Sequence, residues 1–107
     1  MTPLLPRDAV AYRRTPIFTE ATLPAGLRHR HQTKAGVWGL IVVVEGRLRF
    51  RSLEPRLETV LDSAGAAAVA APEQPHEVEP LGAVRFFIEF YTVPTPADAV
   101  AGRSAPL

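Results

Sequence analysis

The chain has 107 residues, is 47% hydrophobic, carries a formal net charge of +1 and contains no cysteine. That length supports one hydrophobic core and not two. A net charge near zero leaves no broad basic surface for nucleic acid or an anionic membrane, and the lack of cysteine removes disulfides, thiolate metal sites and cysteine nucleophiles together.

No stretch approaches about 18 unbroken apolar residues, and the first seven residues hold no secretory apolar region. A cytoplasmic location is the expectation. Arginine outnumbers lysine eleven to one, which reads as codon usage in a GC-rich, bacterial genome. The expected organisation is an N-terminal arm and edge strand over 1–15, one β domain over 16–93 and a flexible tail over 94–107.

In chain order, Val10, Tyr12 and then Ile17-Phe18 read as short edge strands interrupted by Pro16. Residues 22–26 form a turn, because proline pre-sets φ and glycine permits φ > 0. Residues 27–31 follow as a short strand and 32–36 as a polar loop ending in glycine. Residues 37–44 give the strongest strand signal. They are apolar at nearly every position, so both faces are expected to be buried. Glu45-Gly46 reads as a tight turn. Residues 47–51 then alternate strictly, with Leu48 and Phe50 inward and Arg47, Arg49 and Arg51 outward, completing a hairpin. The arginine stripe is read as a solvated face that protects a sheet edge.

Glu54-Pro55-Arg56 is a turn, 57–61 a strand and 62–65 a break. Residues 66–71 are ambiguous: alanine favours helix, but the run is short, has no helical period and ends at Pro72. They are assigned to a strand. Residues 72–75 form a loop that delivers His76, and Pro80-Leu81-Gly82 is a turn. Residues 84–93 form the second strong strand, with Val84, Phe86, Ile88 and Phe90 on one face and Arg85, Phe87, Glu89 and Tyr91 on the other. The sum is an all-β domain, a small antiparallel sandwich or barrel with no convincing helix.

The histidines carry the chemistry. On an extended backbone residues i and i+2 share a face, so His29 and His31 would point the same way, and His76 is the remaining histidine. Three imidazoles suit one divalent ion such as Zn, Ni, Fe or Mn, and three protein ligands leave open coordination positions. Glu73 reaches the site through a bent loop but not along a straight strand, and a solvated carboxylate is the favoured reading. Arg85 and Glu89 share a face and are expected to pair beside the pocket. Lys34 is read as a loop lysine, with an anion contact at the pocket mouth as the alternative. Trp38 is read as core or dimer-interface packing.

His29-Arg30-His31, Gly46, and Pro72 with His76 resemble the two motifs of the cupins. That resemblance implies a small single-domain cupin, a double-stranded β-helix or jelly-roll barrel. More narrowly, 31–39 (His-Gln-Thr-Lys-Ala-Gly-Val-Trp-Gly), 44–50, 76–81 and 86–91 resemble the TehB/YeaR-like domain family. The family comprises small stand-alone proteins and the N-terminal domain of some tellurite-resistance methyltransferases. The glutamate that follows the second histidine in the cupin motif is replaced here by Ala35 and Gly36. No methyltransferase domain is present, so methyl transfer is not carried over. The resemblance implies a metal-binding module for a small molecule or oxyanion in a stress or tellurite-resistance setting. The alternatives are a small metalloenzyme, dioxygenase- or isomerase-like, and a metal-free scaffold that forms a homodimer.

Overall fold

A computed structural model describes residues 4–65 and 67–94. The tail expected over 94–107 lies, apart from Pro94, outside the described residues. Six strands form one antiparallel sheet: β1 (Val10–Arg14), β2 (Phe18–Thr19), β3 (Val37–Leu53), β4 (Arg56–Asp62), β5 (Ala68–Ala70) and β6 (His76–Thr92). β3 and β6 run side by side through the middle. β1 and β2 line the free side of β6, and β4 and β5 line the free side of β3.

The expected jelly-roll barrel is corrected at this point. Among the described residues no ladder joins the β1/β2 border to the β4/β5 border, so the sheet is open and has two edges. The reason lies at two positions read as turns. Glu45-Gly46 does not close a hairpin, and Pro80-Leu81-Gly82 does not end a strand. Both lie inside 17-residue strands that pair with each other along most of their length. The pairing shifts between Val43 and Glu45 and again between Gly46 and Leu48. Such bulges bend a strand and change which residues face inward without ending it. The inward set accordingly moves from Ile41 and Val43 to Leu48 and Phe50. Gly46 takes φ +81°, and a Cβ there would lie 2.1 Å from the Ala83 carbonyl oxygen. Only glycine allows the two central strands to approach so closely at the bend.

The core lies on one face of the sheet. Ile41, Leu48, Phe50, Val78, Val84, Phe86 and Ile88 form one cluster, which Leu23 and Leu27 cover from a 3-10 helix (Ala25–Arg28) and the turn before it. Phe86 and Leu48 are wholly buried. The face opposite is apolar along the first half of β3 but not deeply buried. Trp38, Leu40 and Val42 are partly buried and Val44 is 47% exposed. The expectation that both faces of 37–44 are buried therefore holds for one face only.

The arginine stripe is not at an edge, because β3 is a central strand. Arg51 donates to Glu58 on β4 (3.0 Å) and to Glu77 on β6 (2.6 Å), and Arg49 donates to Glu79 (2.8 Å). These charges face their opposites directly across the ladders, where opposite-charge pairs stabilise a sheet.

Candidate functional site

The segment that carries the first two histidines is not a strand. Residues 25–28 wind into the 3-10 helix, and Arg30 takes φ +37°. A positive φ at a non-glycine residue reverses the local direction of the chain, so the shared face expected for His29 and His31 does not exist. His29 is exposed and lines a shallow cleft with Arg51, Glu77 and Glu79. His31 turns toward β6 instead, where it forms an isolated bridge with His76. The bridge exchanges two backbone hydrogen bonds, His31 N to His76 O (2.7 Å) and His76 N to His31 O (2.8 Å).

The two rings meet edge to face, with centroids 5.2 Å apart, and Phe50 stacks on His76 with centroids 5.7 Å apart. His76 is 3% exposed. Its Nδ1 lies 3.0 Å from the Gln74 carbonyl oxygen, which only accepts, so Nδ1 carries the proton. Burial depresses the His76 pKa, the neighbouring His31 adds to the depression, and the Gln74 carbonyl opposes it. In its neutral form His76 therefore accepts at Nε2, where His31 Nδ1 stands at 3.3 Å and donates. Burial depresses the His31 pKa as well. A neutral His31 with its proton on Nδ1 keeps an unshared lone pair on Nε2.

A buried polar network holds the pair in place. Gln74 Nε2 donates to Ser52 Oγ (3.0 Å), and Ser52 Oγ donates to the Pro55 carbonyl (2.8 Å). Thr33 is buried, and its hydroxyl donates to the Val37 carbonyl (2.7 Å), while its own carbonyl accepts from Glu73 N (3.0 Å). The loop before His76 and the loop after His31 are thereby tied to each other and to β3.

The expected three-histidine metal centre is corrected by this geometry. Among the described residues no group of three His, Cys, Asp or Glu side chains is placed to hold a metal ion. His29 leaves on the other side of the Arg30 bend. Glu73 is exposed, on a loop residue with φ +60°. Glu89 points to the opposite face of the sheet. There it accepts from Arg14 (2.9 Å) and Tyr91 (2.6 Å), and these two hold its carboxyl below the usual carboxylate range, with the Tyr91 hydroxyl the larger cause. Arg85 is not its partner: residues i and i+4 on a strand are about 13 Å apart, and Arg85 instead lies across the ladder from Glu45. Trp38 is on the outer face opposite Tyr91.

Lys34, read as a loop lysine with a pocket-mouth anion contact as the alternative, is exposed on the loop after His31. With Tyr12, Arg13, Gln32, His31 and Phe90 it lines a cavity of about 330 Å³. Tyr12, Arg13 and Gln32 were not legible as site residues. A bulge between Ala11 and Arg13 decides where β1 aims Tyr12 and Arg13, and a bulge leaves no mark in the alternation of so short a strand, while Gln32 enters the cavity from the loop after His31.

Among the described residues, no helix is long and apolar enough to cross a membrane. Residues 13–88 match the model of the TehB-like domain family. The uncharacterized protein YeaR of Escherichia coli K12 is 31% identical over 100 residues, covering 84% of this chain and 83% of its own. The probable S-adenosyl-L-methionine-dependent methyltransferase TehB of Haemophilus influenzae is 35% identical over 46 residues, which span 43% of this chain and 16% of that one. Two crystal structures share the fold at a TM-score of 0.78. One is a protein of E. coli K12 (25% identical, 88% of this chain and all of that one), and the other is H. influenzae TehB (24% identical, 94% of this chain and 36% of that one). With more than half its length matched by the family model, the chain belongs to the TehB-like domain family.

Proposed function

We propose that this domain is a metal-independent scaffold that pairs with a second copy of itself through the outer face of its sheet. One observation carries the reading. The central strands present Trp38, Leu40 and Val42 of β3 and Phe87 of β6 on a face that no described helix or strand covers, since the 3-10 helix packs on the opposite side. Apolar residues gathered on the middle strands of a sheet mark an interaction surface.

A second copy fits this face because its charges are already matched. Arg14 pairs with Glu89 and lies 4.4 Å above the Phe87 ring, and Glu45 faces Arg85 across the ladder. A face with balanced charge meets its own copy without like-charge repulsion, and a two-fold contact places the same patch on both sides. Two such sheets pack about 10 Å apart.

The test is sedimentation velocity from about 1 to 100 μM on the wild type and on Val44→Glu and Leu40→Glu. The wild type is expected to sediment as a dimer and both variants as monomers. Val44 is already half in solvent, so its variant stays folded if Leu40→Glu does not. A wild type that remains monomeric across the range, or variants that remain dimeric, overturns the reading.

A further inference from the structure

The cavity beside His31 adjoins a second one of about 260 Å³. The two share Arg13, His31 and Phe90 and together form one cleft between β1/β6 and residues 24–34. Its ends differ in chemistry. The first lobe holds both Arg13 and Lys34, the chain's single lysine. The second is walled by Phe18, Leu27, Ile88 and Phe90. No aspartate or glutamate lines either lobe. Among the described residues Arg13 and Lys34 make no ion pair, a state they share with Arg7, Arg28, Arg47, Arg56 and Arg85, and they are the cations that line this cleft. Two unpaired cations without a neighbouring acid favour an anion, and the apolar lobe favours a carbon body attached to it.

The histidine pair adds a third requirement. Proton order fixed at the Gln74 carbonyl passes through His76 to His31 and leaves His31 Nε2 as an acceptor. His31 lines both lobes, and its Nδ1 is already engaged. The nitrogen left for a ligand therefore asks for a donated hydrogen. An ammonium donor is disfavoured, because the cleft has two cations and no carboxylate to receive it. A hydroxyl meets the demand without charge.

We propose that this cleft binds a small hydroxy acid with an apolar body. Arg13 and Lys34 take the carboxylate, His31 Nε2 accepts from the hydroxyl, and Phe18, Leu27, Ile88 and Phe90 hold the hydrocarbon end. The cleft is on the core side of the sheet, away from the outer face, so this proposal stands apart from self-association.

The probes are 3-phenyllactate, 3-phenylpropionate, phenylalanine and sulfate, titrated at pH 7.5 and followed by calorimetry and by amide chemical shifts. The expected order is phenyllactate first. Phenylpropionate is weaker by about tenfold, the size of one hydrogen bond to a half-buried acceptor. Phenylalanine and sulfate are weaker still. Shifts are expected at residues 12–13, 31–34 and 88–90. Arg13→Gln, an exposed substitution, weakens phenyllactate about tenfold or more. His31→Phe abolishes the preference for phenyllactate over phenylpropionate while leaving phenylpropionate binding within about twofold. Should His31→Phe fail to fold, the ratio of the two acids on the wild type decides the same point. Sulfate binding as tightly as phenyllactate, equal affinity for the two acids, or no shift in these residues at 10 mM ligand overturns the proposal.

Discussion

Replacing Gly46 by alanine separates two effects that usually arrive together. Gly46 and Gly36 have nearly the same positive φ, +81° and +78°. An alanine at either site bears the strain of a left-handed conformation, about 1–2 kcal/mol. They differ in space. Nothing lies within 4 Å of a Cβ at Gly36, whereas at Gly46 it would meet Ala83 O at 2.1 Å and Val84 Cα at 2.9 Å. Carbon and carbonyl oxygen approach to about 3.3 Å at closest, so β3 and β6 must part by roughly 1 Å at the bend. Two ladder hydrogen bonds lost there account for about 2 kcal/mol more. Gly36→Ala is therefore expected to destabilise by about 1–2 kcal/mol and Gly46→Ala by about 3–4 kcal/mol. At roughly 4–8 °C per kcal/mol for a domain near this size, Gly46→Ala melts about 8–16 °C below Gly36→Ala. Thermal melts by far-UV circular dichroism measure the gap. Equal melting temperatures would refute the close approach of the central strands at the bend, and with it the account of why β3 is continuous.

The histidine pair makes stability depend on pH in a stated direction. His31 and His76 are held neutral in the folded chain, with pKa values below the ordinary histidine value of 6.5. The unfolded chain therefore takes up more protons as the pH falls below about 6.5. The pair's contribution is complete above that pH and is lost toward the depressed folded values. The slope has a ceiling of about 1.4 kcal/mol per pH unit for buried His76, with less from the half-buried His31. Urea midpoints at pH 7.5 and 5.5 should differ more for the wild type than for His76→Gln. A parallel fall in both would count against the neutral pair. Thr33→Val keeps the shape of a buried side chain but leaves the Val37 carbonyl without its hydroxyl donor. It should destabilise by about 1–2 kcal/mol, and an unchanged urea midpoint would show that the hydroxyl does not tie this loop to β3.

Much of the strand content was legible because period-two alternation and turn residues are local properties. β5 is read as a strand only from the shortness of its run and from Pro72, whereas β1, β2, β4, the inward face of the last strand and the Asp62 break follow from alternation and turn residues. So does the loop that brings in His76. The family resemblance was legible for a related reason: a run such as 31–39 is itself a string of residues. Positions such as Thr33 in that run have structural work in the fold, tying the two loops together.

Tertiary structure decided what the strands do with one another. Glu45-Gly46 has the composition of a turn, and no local signal distinguishes a turn from a bulge inside a long paired strand. The choice is made by β6, which bends at the same level. That choice opens the sheet where a jelly roll was expected. It also places the arginine stripe at the centre and leaves the apolar outer face uncovered by any described helix or strand. The site divides in the same way. The sequence determined that three histidines exist, and the backbone at Arg30 decided that two of them meet. Their proton order comes from a carbonyl at Gln74, and of their charged neighbours Arg13 is aimed by a bulge in β1 while Lys34 comes from the loop after His31. A side chain's direction depends on the sum of all preceding dihedrals, so one positive φ or one extra residue in a ladder reassigns a face that composition alone would leave intact.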